Sequence, residues 1–305
     1  MIQRYFRMFP PLLIAVSLAA CPSLSSLRGP SRDFVAAANA LAQAESDYFN
    51  EIQAASDSAY RLQAAEDYVG QNGSFKHIAD EFGKHDDFSK AKALRMAAMQ
   101  QLVNYAQQIQ AIITGSSTTW IADDARSATT NIGKLVKDIG DNADAQLLTK
   151  NSGLIKTAVT DLGRAIINSE SANELQTLAQ DARAPIRQIA KMVKWDNDNI
   201  EADQFANGLK LDQTHALKDI LHWIYLDPKV NAAERFGSIQ IATNWKQSLV
   251  TKSRTIQSAL AKLEAANEAM AKKENTSLDA LSRQIYALAK QAIATPSPET
   301  AIPAK

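Results

Sequence analysis

The sequence predicts an all-α fold, an elongated antiparallel helical bundle with long coiled-coil-like helices. Three observations predict it. Helix breakers are scarce: of nine prolines only Pro185 and Pro228 fall between Ser31 and Ala294, and the whole chain holds eleven glycines. Apolar residues recur at spacings of seven, or of four and three in alternation, which places them on single helical stripes. No stretch alternates apolar with polar residues as a half-buried strand does. At 46% apolar residues the chain has enough material for a sizeable core.

The first helix is expected to start near Ser31, an N-cap candidate after Pro30, and to end at Gly70. Phe34, Leu41, Tyr48, Ala55, Leu62 and Val69 form its stripe. A short helix is expected over 74–82. A longer one covers about Asp87 to Thr114, with Ala91, Ala98, Leu102, Tyr105, Ile109 and Ile112 facing inward and Gly115 closing it. Thr118 to Ile139 is amphipathic through Ile121, Ala125, Ala128, Ile132, Leu135 and Ile139, with an interruption expected at Gly140-Asp141-Asn142. Leu154 to Ile167 is another short apolar-faced segment. Ala172 to about Gly208 reads either as one helix kinked at Pro185 or as two pieces, the second beginning there. Leu211 to Leu226 follows.

The most regular pattern comes late. Trp245, Leu249, Lys252, Ile256, Ala259, Leu263, Ala266 and Met270 hold one unbroken stripe within a helix expected from Lys229 to Lys273, about 68 Å long. Lys252 lies on that stripe, so it must either reach water or meet an acid. Thr276 and Asp279 form a capping-box pattern, and Leu278, Leu281, Ile285, Leu288 and Ala292 define the last helix. Residues 31–70 carry seven acids and two bases, whereas residues 229–294 carry ten bases and five acids. This asymmetry reads either as two solvated faces or as a first helix lying beside the C-terminal hairpin. On the second reading the acidic first helix is the natural source of a partner for Lys252.

The N-terminus carries Arg4 and Arg7, then an apolar run from Phe9 to Ala20. Twelve helical residues span about 18 Å, short of a hydrocarbon core of about 30 Å, so a secretory signal is favoured over a spanning helix. The run ends Leu18-Ala19-Ala20-Cys21, and Cys21 is the chain's single cysteine. This segment resembles the lipobox of bacterial lipoproteins. The resemblance implies cleavage before Cys21 and lipid attachment to its sulfur. Pro22 and Ser23 stand where an aspartate favours inner-membrane retention, so it also implies delivery to the outer membrane. The expected organisation is a signal peptide at 1–20, a Ser/Pro-rich tether at 21–30, a bundle domain at 31–294 and a disordered tail at 295–305.

The sequence argues against several chemistries. Formal charges cancel at 33 basic against 33 acidic residues, which argues against a nucleic-acid partner. One cysteine excludes a disulfide framework and a cysteine-type zinc site. The paired Glu-x-x-His repeats of a di-iron bundle, His-Glu-x-x-His, Gly-x-Ser-x-Gly, a P-loop, Gly-x-Gly-x-x-Gly and Cys-x-x-Cys-His do not occur. Ser89-Lys90-Ala91-Lys92 matches Ser-x-x-Lys without its companion motifs.

His215, Asp219 and His222 fall within about 60° of one another on a helix and are of metal-ligating types. Leu217, Ile220, Leu221 and Ile224 take the opposite face, so the three residues are read as a solvated polar face. His77, Glu81 and His85 are read likewise, with Gly83 weakening the helix between them. In the acidic run Asp196, Asp198, Glu201, Asp203, an EF-hand would need a ligand and a glycine where Ile200 and Glu201 stand. Trp245 is expected in the core; Trp120, Trp195 and Trp223 are open between core and recognition surface. The sequence therefore leads to a lipid-anchored, non-enzymatic envelope protein without cofactor, a binding module or scaffold for another envelope protein. The rival readings are an immunity-type lipoprotein that blocks a toxin and a metal- or ligand-binding bundle.

Overall fold

The computed structural model describes residues 24–70, 89–139, 152–172, 174–201, 232–272 and 277–295. Among these there are seven α-helices and no strand. They are α1 (Arg28–Gly70), α2 (Ser89–Thr114), α3 (Thr119–Ile139), α4 (Ser152–Ala172), α5 (Leu175–Glu201), α6 (Ala232–Ala271) and α7 (Ser277–Ala294). The expected helices at 74–82 and 211–226, and the tail beyond Thr295, lie outside the described residues.

Helix α1 begins earlier than its sequence suggests. A 3-10 turn at Leu24–Leu27 runs directly into Arg28, and Leu27 is buried in the core. Pro30 sits in the first helical turn, where its missing N–H costs nothing. Ser31 is thus a buried helical residue whose hydroxyl donates to the Arg28 carbonyl at 3.0 Å, and not an N-cap. Residues 24–30 of the expected tether therefore belong to the packed body, because Leu27 gains more from burial than a free linker would.

Helix α2 stops at Gly115, whose φ of +69° suits glycine. The Ser116 N–H reaches the Ala111 carbonyl and the Gly115 N–H reaches that of Ile112, a Schellman cap. The Thr118 carbonyl then accepts from Ile121 and Ala122, opening α3 one turn later. Helix α5 runs through Pro185, so the two-piece alternative gives way to one helix that forgoes a bond to the Asp181 carbonyl. On α6, Leu249, Lys252, Ile256, Ala259, Leu263, Ala266 and Met270 are all buried, as the stripe predicts; the Trp245 side chain lies outside the described ones.

The helices alternate up and down around a ring in the order α1, α2, α3, α4, α5, α6, α7, with α7 closing against α1. Residue pairs fix the directions. Gln176, Ala179 and Arg187 on α5 meet Ala271, Asn267 and Glu264 on α6, so these two are antiparallel. Glu51 meets Lys252, while Phe34 and Asn267 both meet Tyr105, so α1 and α6 are antiparallel as well. An odd number of alternating helices leaves the first and last parallel. The acidic α1 therefore packs between α2 and the basic α6–α7 hairpin, which decides the charge asymmetry in favour of neighbouring helices.

Helix α2 touches α1, α3, α4 and α5 and is covered nearly all round. Its buried residues include all six that the stripe predicts, and also Arg95, Gln101, Asn104 and Gln108. These polar side chains are the main departure from an apolar bundle interior.

Candidate functional site

Two polar seams cross the interior. The first is neutral and radiates from α2. The Gln101 amide donates to the Ala125 carbonyl of α3 at 3.0 Å and lies 3.5 Å from the Val159 carbonyl of α4. The Asn104 amide donates to the Gln101 side-chain oxygen at 3.2 Å. Gln108 donates to the Ser169 hydroxyl of α4 at 2.9 Å. The Tyr105 hydroxyl donates to the Asn267 oxygen of α6, and the Asn267 amide donates to the Ala179 carbonyl of α5 at 3.0 Å. Burial pushes the Tyr105 phenol far above its ordinary range, so it stays protonated and donates. Side chains of α2 thus bond to α3, α4 and α6, and Asn267 of α6 carries the chain of bonds on to α5.

Gly163 of α4 makes the Gln101 contact possible. A Cβ at that position would stand 2.6 Å from the Thr129 hydroxyl and 2.9 Å from the Gln101 amide nitrogen. Glycine lets α4 approach α2 and α3 closely enough for one amide to bridge them.

The second seam is charged and lies between α1, α2 and α6. The Lys252 ammonium, on a residue only 2% exposed, donates to Glu51 Oε1. This is the acid on the first helix that the stripe position of Lys252 calls for. Glu51 Oε2 makes no hydrogen bond among the described residues. Burial raises the Glu51 carboxyl above its ordinary value, and the Lys252 contact offsets only part of that. Arg95 is fully buried with its guanidinium 5.8 Å from the Phe49 ring centroid, and Glu45 and Tyr48 are buried on the same stretch of α1. Chemically, a buried ion pair of this kind fixes the register of two helices, because sliding either one would leave a charge buried without its partner.

The sequence-derived candidates fare unevenly. Cys21, His215, Asp219 and His222 lie outside the described residues, as do His77, Glu81, His85, Asp203 and Trp223. Among the described residues no group of three or more His, Cys, Asp or Glu is placed to hold a metal ion. Asp196, Asp198 and Glu201 lie within helix α5, and Asp198 pairs with Lys194 of the preceding turn at 2.9 Å. Lys92 donates to Asn50 of α1 at 2.6 Å. Trp195 is half-buried and Trp120 is exposed. Among the described residues no helix is long and apolar enough to cross a membrane.

Sequence reasoning missed Arg95, Gln101, Asn104 and Gln108. Residue order gives no signal for them: Gln101, Asn104 and Gln108 recur at i, i+3 and i+7, the spacing of an ordinary solvated polar face, and only the packing of α3, α4 and α5 around α2 buries them. Fold and interior together define an all-α helical bundle with a polar-bonded central helix. Compared with known protein families, curated proteins and solved structures, the chain matches none of them.

Proposed function

We propose that this chain is a lipid-anchored protein of the bacterial envelope, held at the outer membrane facing the periplasm, whose helical bundle is a non-catalytic binding module or scaffold for another envelope protein. The observation that carries the reading is Cys21, the single cysteine, at the end of Leu18-Ala19-Ala20. The position of Cys21 supports it, because only three residues of chain separate it from Leu24 of the packed body, so a lipid on Cys21 holds the bundle close to the bilayer surface. The interior supports the non-catalytic part. Its amides and its Lys252–Glu51 pair bond helix to helix, which leaves the outer helix faces as the surface that a partner meets.

Cys21→Ser tests the anchor: the variant is released from membranes or remains unprocessed, and intact mass shows acylation on the wild-type chain alone. A mature wild-type chain that begins elsewhere, without acyl mass, overturns it. Crosslinking and pulldown from native envelopes tests the partner. A stoichiometric envelope protein is the expected product, and its capture is lost when the exposed faces are substituted.

A further inference from the structure

The end of the bundle that carries the N-terminus of α1 also carries the most exposed tryptophan among the described residues. Phe34 meets Tyr105 with ring centroids 6.3 Å apart, which sets α1 and α2 at one level. From Tyr105 to Thr114, the end of α2, is about 13–14 Å along the axis. From Phe34 back to Arg28 is about 9 Å, and the Leu24–Leu27 turn adds up to about 8 Å. That turn also packs against α2. The Gly115–Thr118 connection, and Trp120 just after it, therefore lie within a few ångströms of the level of Leu24.

Trp120 is 51% exposed, whereas Ile121 beside it is buried in the core. Among the described residues the other large exposed apolar side chains lie elsewhere: Leu154 at the opposite end of the bundle, and Tyr286 along α7 beneath the Lys290 ammonium. Cys21 is three residues from Leu24, so its sulfur lies within about 11 Å of backbone reach of this end. A lipid there leaves the end little room to stand away from the bilayer.

We infer that the Gly115–Trp120 turn is a second membrane contact, with the Trp120 indole inserted at the headgroup level of the lipid layer that holds the Cys21 acyl chains. The inference rests on the lipid-anchor reading above. Indole suits this position: its ring prefers the boundary region and its N–H bonds to headgroup oxygens. Ser116, Ser117, Thr118 and Thr119 supply hydroxyls around it. Arg28, Arg32, Arg126 and Lys272 are exposed at the same end and are balanced by the exposed Asp33, Asp123, Asp124 and Glu174, so adhesion does not depend on anionic lipid. Two contacts on one rigid end fix the bundle's orientation on the membrane, where one acyl anchor would leave it free to swivel.

The test uses the full acylated protein in phosphatidylcholine vesicles with brominated acyl chains, compared with Trp120→Phe. Wild-type tryptophan emission is expected to be quenched by the bromines, and Trp120→Phe to remove that quenchable fraction while floating with the vesicles as wild type does. Quenching that is absent from acylated, floating wild type, or that is unchanged in Trp120→Phe, overturns the inference and leaves the anchor standing. A chain that carries no acyl mass and does not float overturns the anchor, and this inference with it.

Discussion

The two polar seams solve one packing problem by different chemistry. Around α2, neutral amides and hydroxyls bond to backbone carbonyls and to each other, and no charge is buried to make the contact. Between α1 and α6, a lysine on an otherwise apolar stripe is held by one carboxylate oxygen of Glu51. A neutral amide that loses its partner leaves one unsatisfied group, a loss of about 1–3 kcal/mol. A buried ammonium that loses its carboxylate leaves an uncompensated charge, which costs about 3–5 kcal/mol. The charged seam is therefore the more fragile to single changes, and the neutral seam the more sensitive to shape.

The largest expected effect breaks the charged seam. Glu51→Leu should destabilise the fold by about 3–5 kcal/mol, and Glu51→Leu with Lys252→Met should recover most of that loss. Denaturant unfolding of the two single variants and the pair gives the coupling; strict additivity would mean that the two residues do not interact.

The same α6 stripe supplies an apolar baseline. Leu263 is fully buried, so Leu263→Ala should cost about 2–5 kcal/mol, while Lys262→Ala at the exposed neighbour should stay under about 0.5 kcal/mol. Equal losses at 262 and 263 would undo the stripe assignment.

In the neutral seam, shape decides. Gly163→Ala should destabilise by about 1–3 kcal/mol, because overpacking against Thr129 and Gln101 outweighs the gain in helix propensity of about 1 kcal/mol. A more stable variant would show that α4 can move outward without losing the Gln101 bonds.

The smallest effect is in pH. Glu51 is raised in the folded state, so between its ordinary and its raised value the native protein binds more protons there than the unfolded chain. Stability contributed by this group is full below the ordinary carboxyl range and is lost as pH rises through the raised value. Unfolding free energy measured against pH should carry that downward slope in wild type and lose it in Glu51→Gln, whatever the variant's lower overall stability. Identical slopes would mean that Glu51 titrates as an exposed glutamate does.

Much of this was legible in residue order. Period and breaker scarcity sufficed for the seven described helices, since a helix face is set by local geometry alone. The end of α2 at Gly115 stands where the local signal places it, while the interruption expected at Gly140-Asp141-Asn142 lies outside the described residues. Cost required that Lys252 reach water or meet an acid, and the acidic composition of α1 made that helix the natural source of one. The start of α1 could not be read, because Leu27 is buried only by helices remote in sequence.

What the sequence determined by itself was helicity, the buried stripe of each helix and the need of Lys252 for either water or an acid. These follow from spacing, propensity and the cost of an unpaired charge. Tertiary structure decided that α1 lies against the C-terminal hairpin, that Glu51 rather than another acid of α1 meets Lys252, and that the polar face of α2 at Gln101, Asn104 and Gln108 is buried. It decided as well that Trp120 shares an end with Leu24. The physical reason is the same in each case: periodicity fixes which side of a helix turns inward, but which neighbours cover it depends on how all seven helices close the ring.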